Sequence, residues 1–165
     1  IGAFAPNKRV DLAVEAFNRL KLPLKIVGSG QDEEYCKNIA GDTIDFLGSL
    51  SDEELLKLYQ NARAFVFPGE DDFGITPLES QACHTPVIAF AAGGAMETIT
   101  EKTGVFFGKQ KVEELCDAVE KMERIHQDFT PEAFQRQTDR FGRLRYKTEM
   151  AHAIDFGYRQ WKAEF

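Results

Sequence analysis

AFVFPGEDDFGITPLESQACHTPVIAFAAGG, residues 64–94, is the stretch from which the fold can be read. Residues 64–67 form a short apolar run that ends at Pro68. Glu70, Asp71 and Asp72 follow without interruption, and Phe73-Gly74-Ile75 leads into Thr76-Pro77-Leu78-Glu79. That tetrapeptide is a helix-start signature. Thr76 can cap orphan N–H groups, Pro77 suits the first turn, and Glu79, three residues on, completes a capping box. A second apolar run, residues 86–92, ends in Gly93-Gly94. The order is strand, acidic glycine loop, helix, strand, glycine loop. Carboxylates and glycines fall where strands end, which is where open α/β sheets bind ligands.

The same alternation extends in both directions. Residues 1–4 read as a first strand and residues 5–8 as a loop. Residues 8–20 follow helical periodicity, with Val10, Ala13, Val14, Phe17 and Leu20 as the apolar stripe. Further strands are expected over residues 24–27, 43–47, 64–67, 87–90 and 104–107. Helices are expected over 32–39, from the Ser51/Glu54 capping box through Tyr59, and over 76–82, 95–100 and 111–125. Thr130-Pro131 opens a helical tail to Phe165, carrying Phe134, Phe141, Leu144, Met150, Ile154, Phe156, Tyr158 and Trp161. The expectation is an α/β fold: a doubly wound, mostly parallel, six-stranded sheet with helices on both faces. In that order the first and fourth strands lie side by side, so the loop at residues 5–8 should meet the loop at 68–75. The aromatics of residues 130–165 exceed what one sheet face needs, which points to packing on a part of the protein outside this sequence.

Composition narrows the function. The 165 residues, 43% of them apolar, suffice for one domain. With 27 acidic and 20 basic residues the net charge is −7, which argues against a nucleic-acid surface. Cys36, Cys83 and Cys116 are odd in number and far apart, as expected of free thiols in a reducing compartment. No run is long enough for a membrane span. The opening Ile1-Gly2 reads as a cut inside or just before a strand, so a fragment of a larger protein is expected.

Several residues could carry chemistry. Glu79 at the mouth of the sheet has two oxygens suited to a vicinal diol such as a ribose, though it could serve only as a cap. The N–H groups of Gly74, Ile75 and Thr76, with the helix dipole, make an anion site that fits a phosphate. The adjacent acids repel one another unless a basic group offsets them. Lys8, arriving from the first loop, is the candidate, with Arg9 as fallback; either could equally be a solvated surface residue. Gly93 and Gly94 allow close backbone approach, to a ligand or in a plain turn. Gly28-Ser29-Gly30 is a bare GxG after the second strand and a weak dinucleotide signal. His84, His126 and His152 are scattered, without metal-ligand spacing. His84 reads as a helix C-terminal position. Ser80 lacks the GxSxG elbow of a hydrolase.

Taken together, Asp71 to Glu79, Thr85-Pro86-Val87-Ile88-Ala89 and Gly93-Gly94 resemble the signature of the retaining glycosyltransferases of family 4. Lys8-Arg9-Val10-Asp11-Leu12, Val27-Gly28-Ser29-Gly30, Phe46-Leu47-Gly48 and the helix at residues 51–59 extend the likeness. Those enzymes have the GT-B fold, two Rossmann-like domains facing each other across the active site. The resemblance is to the C-terminal, donor-binding domain, and covers residues 1–107 well and the tail more loosely. It implies that Glu79 holds the nucleotide ribose, Asp71 lies against the donor sugar hydroxyls, and Lys8 holds the diphosphate. Phe73, Gly74, Ile75 and Thr76 match the loop around diphosphate and sugar, and Gly28 and Gly30 the turn near the nucleoside. The chain departs from the pattern in Asp71 where glutamate is usual, Ala3 in place of an arginine, and His84 in place of a glycine.

The activity implied is metal-independent, retaining transfer of a sugar from a nucleotide diphosphate to an acceptor hydroxyl, in polysaccharide or lipid-linked glycan synthesis. The spelling favours mannose, with GDP-mannose ahead of UDP-sugars. No cofactor is implied. The expected partners are an absent N-terminal acceptor domain, onto which the tail packs, the nucleotide sugar, and a saccharide or lipid-linked acceptor. The expected location is cytoplasmic, with room for peripheral attachment to the inner membrane face through the absent domain. An isolated fragment is expected to be inactive. Other classes fit less well. A non-catalytic nucleotide-binding or interaction domain on this fold rests only on Asp71 and Ala3. An NAD-linked oxidoreductase needs GxGxxG after the first strand, and a phospho-acceptor receiver needs an aspartate where Phe46 stands.

Overall fold

The computed structural model describes residues 1–164. Strands and helices alternate as β1 (Leu24–Ile26), α2 (Glu33–Ile39), β2 (Ile44–Phe46), α3 (Asp52–Asn61), β3 (Phe65–Phe67), α4 (Ile75–Ala82), β4 (Val87–Phe90), α5 (Ala95–Thr98), β5 (Gly104–Phe107) and α6 (Val112–Ile125). They are preceded by α1 (Val10–Leu20) and followed by α7 (Pro131–Asp139) and α8 (Arg143–Glu164). All three strand pairings are parallel: β1 with β2, β3 with β4, and β4 with β5.

Alternate residues of each strand face opposite ways, and on β4 both faces are buried. On β4, Ile88 joins a core with Leu12, Val14, Leu115, Val119 and Met122, from α1 and α6. Its neighbours Val87 and Ala89 join a second core with Tyr59, Phe65, Phe67, Ala95 and Ile99. The sheet is therefore covered by α1 and α6 on one side and by α3 to α5 on the other. The α/β architecture expected from sequence, a mostly parallel sheet with helices on both faces, is what the chain adopts.

One feature of the expected sheet differs. Residues 1–4 form no regular strand. They run extended beside the end of β1, with Gly2 N–H donating to Val27 O and Phe4 N–H to Ser29 O, both at 3.0 Å. This stub reaches β1 but makes no ladder with β3. The described strands thus number five, in a pair β1-β2 and a triplet β3-β4-β5. The edges of β1 and β3 face a cleft of about 1000 Å³ that also borders Lys8, Asp71 and the start of α4.

Local signals account for two helix starts. Ser51 and Glu54 form the expected capping box, Ser51 N–H donating to Glu54 Oε2 at 2.8 Å and Glu54 N–H to Ser51 Oγ at 3.4 Å. Thr130 caps α7 with Pro131 at its first position. His84 follows α4 in the left-handed region, φ 60°, where glycine would be less strained. Cys36, Cys83 and Cys116 are free thiols. Within the tail, Phe134 is buried against Phe129 and the His84 ring. Along α8, by contrast, Leu144, Tyr146, Ile154, Phe156 and Trp161 are exposed. Phe165, the last residue of the expected tail, lies outside the described residues.

Candidate functional site

The two loops expected to meet do meet, at the C-terminal ends of the strands. Residues Pro6–Lys8 form a short 3-10 turn rather than the start of a helix, and Arg9, at φ 51°, separates that turn from α1. The Asn7 carbonyl accepts from Glu70 N–H at 3.2 Å, and the Asn7 amide donates to Glu70 O at 3.4 Å. Gly69 is packed on the backbone of Asn7 and Lys8, where a Cβ would collide. This approach places the Lys8 ammonium on the Asp71 carboxylate as a half-buried ion pair. Arg9 points elsewhere, to Asp11 at 3.1 Å and Gln110 at 3.4 Å, so Lys8 is the cation of the acidic loop.

The start of α4 differs from the sequence expectation. Gly74 is its N-cap residue, at φ 86°, and no side chain caps the helix. Thr76 and Pro77 lie inside the first turn, with Pro77 as the third helical residue. The capping box from Thr76 to Glu79 does not form, because left-handed Gly74 lets the chain enter the helix two residues earlier. Pro77 has no N–H to offer. The orphan donors of this helix start are accordingly those of Gly74, Ile75 and Thr76. Ile75 is 65% exposed, so this end of α4 opens to solvent.

Glu79 is freed from capping and takes a different partner. The buried Tyr59 hydroxyl donates to Glu79 Oε2 at 3.1 Å. Burial first, and then the Glu79 charge, push the Tyr59 pKa up, so this phenol remains a proton donor. Periodicity marked Tyr59 only as part of the buried face of α3. A tyrosine on a buried helix face was the available signal, since its hydroxyl needs a partner there.

The glycines bring backbone segments of the chain close together. Gly93, at φ 56°, abuts the Asp71 carbonyl, and Gly94 lies on the backbone of Phe73 while its N–H donates to Asp71 O at 2.8 Å. These two residues dock the acidic loop against the end of β4. Gly28 and Gly30, at φ 128° and 151°, are pressed on the backbone of Gly2 and Phe4. They admit the N-terminal stub. The Phe73 ring meets Phe141, between α7 and α8, edge-on at 5.7 Å, which ties the tail to the loop. Gly94→Ala is expected to destabilise the chain by about 1–3 kcal/mol, because its Cβ overlaps backbone that has no side-chain freedom to yield. Thermal denaturation should show a drop of about 2–4 °C for each kcal/mol. Gly108→Ala, whose Cβ meets nothing within 4 Å, should leave the melting temperature in place.

The arrangement is thus an ammonium paired with one carboxylate beside an open helix start, all bordering the cleft along β1 and β3, with a second carboxylate on α4 held by a phenol. Residues 1–138 match the family described as Glycosyl transferases group 1. The chain belongs to the group 1 glycosyltransferases. It is 35% identical over 128 residues to a GDP-mannose-dependent monoacylated phosphatidylinositol monomannoside mannosyltransferase of Corynebacterium glutamicum, covering 68% of this chain and 34% of that protein. It is 33% identical over 132 residues to the D-inositol 3-phosphate glycosyltransferase of Mycobacteroides abscessus, covering 72% and 30%. Among solved structures, Anabaena HepE in complex with UDP superposes with a TM-score of 0.82 over 94% of this chain and 47% of that one, at 19% identity. That likeness carries the GT-B half-domain fold. The chain spans about a third of the two curated glycosyltransferases. No helix among the described residues is long and apolar enough to cross a membrane.

Proposed function

We propose that this chain is the C-terminal, donor-binding half of a retaining glycosyltransferase. The reading rests above all on one observation: the turn bearing Lys8 and the loop bearing Asp71 come together beside the open start of α4. A donor diphosphate would sit against the N–H groups of Ile75 and Thr76, with Lys8 neutralising its charge. Glu79 would take the ribose hydroxyls and Asp71 the hydroxyls of the transferred sugar. Phe73 and Gly74 would wall the diphosphate. Gly28, Gly30, Gly93 and Gly94 would serve the site by letting its loops approach one another.

Departure of the nucleoside diphosphate puts negative charge on the leaving oxygen. Fixed N–H donors and an ammonium stabilise that charge without having to reorganise, and so substitute for a divalent cation. The acceptor, and the groups that bind it, belong to an N-terminal domain facing this cleft. The exposed apolar side chains of α8 suit packing on that domain. Mannose is the favoured sugar, supported by the Corynebacterium relative's use of GDP-mannose; the UDP bound by HepE keeps uridine donors second. A saccharide or lipid-linked acceptor, a cytoplasmic location and peripheral membrane attachment through the other domain complete the reading. The test is turnover in a chain extended upstream, supplied with GDP-mannose or a UDP-hexose. The expected product keeps the anomeric configuration of the donor; inversion, or hydrolysis with every acceptor offered, would contradict the proposal.

A further inference from the structure

Tyr59 lies near the end of α3 and reaches across to α4, with 4% of its surface exposed. Its ring is fixed edge-on against Phe65, with centroids 5.7 Å apart at 73°. Its carbonyl accepts from the Thr85 hydroxyl, and the Thr85 carbonyl accepts from Ser80 at 2.9 Å. The phenol is therefore locked from the backbone outward. Its oxygen stands 3.1 Å from Glu79 Oε2 and 3.5 Å from Thr76 O. A phenol carries one proton, and the ionised carboxylate is the nearer and stronger acceptor. Glu79 itself is an exposed residue. A free glutamate loses rotamer entropy when a ligand fixes it.

We propose that Tyr59 is the positioning residue for Glu79, its hydroxyl occupying one acceptor site of Oε2 so that the remaining acceptor sites of the carboxylate face two adjacent hydroxyls of the ligand's ribose. This rests on the reading of Glu79 as the ribose ligand. The same hydroxyl borders Thr76 O, so it also ties the carboxylate to the first turn of α4, where the diphosphate would lie. Ribose and diphosphate recognition would then share one rigid reference.

Tyr59→Phe keeps the ring and its packing and deletes only the donor. The test is calorimetric titration of the wild-type chain, Y59F and E79A with GDP and with its 2′,3′-dideoxy analogue, alongside a thermal melt of each. For Y59F we expect about a tenfold loss of GDP affinity, with the dideoxy analogue bound as by wild type. Equal GDP affinity in Y59F and wild type would overturn the proposal. So would an equal loss on both ligands, which marks a merely structural role. If E79A leaves GDP binding intact, the ribose reading of Glu79 fails and the positioning role falls with it. If E79A weakens GDP binding and Y59F does not, only the role of Tyr59 is lost.

Discussion

Replacing Glu79 with alanine is expected to weaken nucleoside diphosphate binding about a hundredfold. A hydrogen bond to a charged group contributes about 1.5–3 kcal/mol, and a carboxylate that meets two ribose hydroxyls loses two of them. Even at the lower figure the sum is about 3 kcal/mol, or roughly two decades in the dissociation constant. Glu79→Gln should fall between, since an amide keeps one acceptor oxygen and loses the charge. The loss should be confined to binding. Glu79 is exposed and packs little, so the main structural effect of its removal is on Tyr59, whose hydroxyl keeps only the Thr76 carbonyl at 3.5 Å. A melting temperature close to wild type, together with the lost affinity, would separate recognition from folding.

Lys8→Ala carries the second large effect, and its signature is selectivity for phosphate. Removing the ammonium should cost a nucleoside diphosphate about tenfold or more in affinity, as one charge-assisted contact is worth roughly 1.5–3 kcal/mol. The corresponding nucleoside, which has no phosphate, should bind both proteins alike. Wild-type affinity should also fall more steeply with salt than that of the variant, because screening weakens charge pairs. Asp71 supplies a sign test on the same pair. In the free chain the Lys8 ammonium is held by the Asp71 carboxylate. An incoming diphosphate must share or displace that partner. Asp71→Asn should therefore hold or raise affinity for the diphosphate alone, while removing any gain that the attached sugar provides. Titrations of GDP and GDP-mannose into D71N and wild type measure both.

Much of the fold was legible because its signals are periodic and local. Apolar runs bounded by proline and glycine marked β1 to β5, and 3.6-residue spacing marked α1. The Ser51/Glu54 box and Thr130-Pro131 located two helix starts correctly. The meeting of the Lys8 turn with the acidic loop was expected by analogy from a first strand beside the fourth, and the loops do meet, though residues 1–4 form no strand. Where the reading departed, a tertiary preference overrode a local one. Thr76-Pro77-Leu78-Glu79 has the letters of a capping box, yet Gly74 can adopt φ 86° and carries the chain into α4 earlier. Residues 1–4 look like a strand, but a strand needs a ladder, and the stub bonds only to Val27, Ser29 and Asp32, past the end of β1.

The site divides in the same way. Lys8, Asp71 and Glu79 were visible because charge at a strand end is costly without a partner or a purpose. The partner of Glu79 was not visible, since Tyr59 lies 20 residues away and reaches it only through the packing of α3 on α4. Nor could the spacing of Gly93-Gly94 tell approach to a ligand from approach to Asp71 and Phe73. Which backbone lies opposite these glycines is set by the tertiary fold, and it is that of the acidic loop.

The central claim is that this cleft recognises a nucleoside diphosphate. Isothermal titration calorimetry of the chain with GDP, UDP, ADP and NAD tests it most directly. The account predicts saturable binding of at least one nucleoside diphosphate, in the millimolar range or tighter, and weaker binding of NAD. Absence of nucleoside diphosphate binding even in the millimolar range, or a preference for NAD, would contradict it.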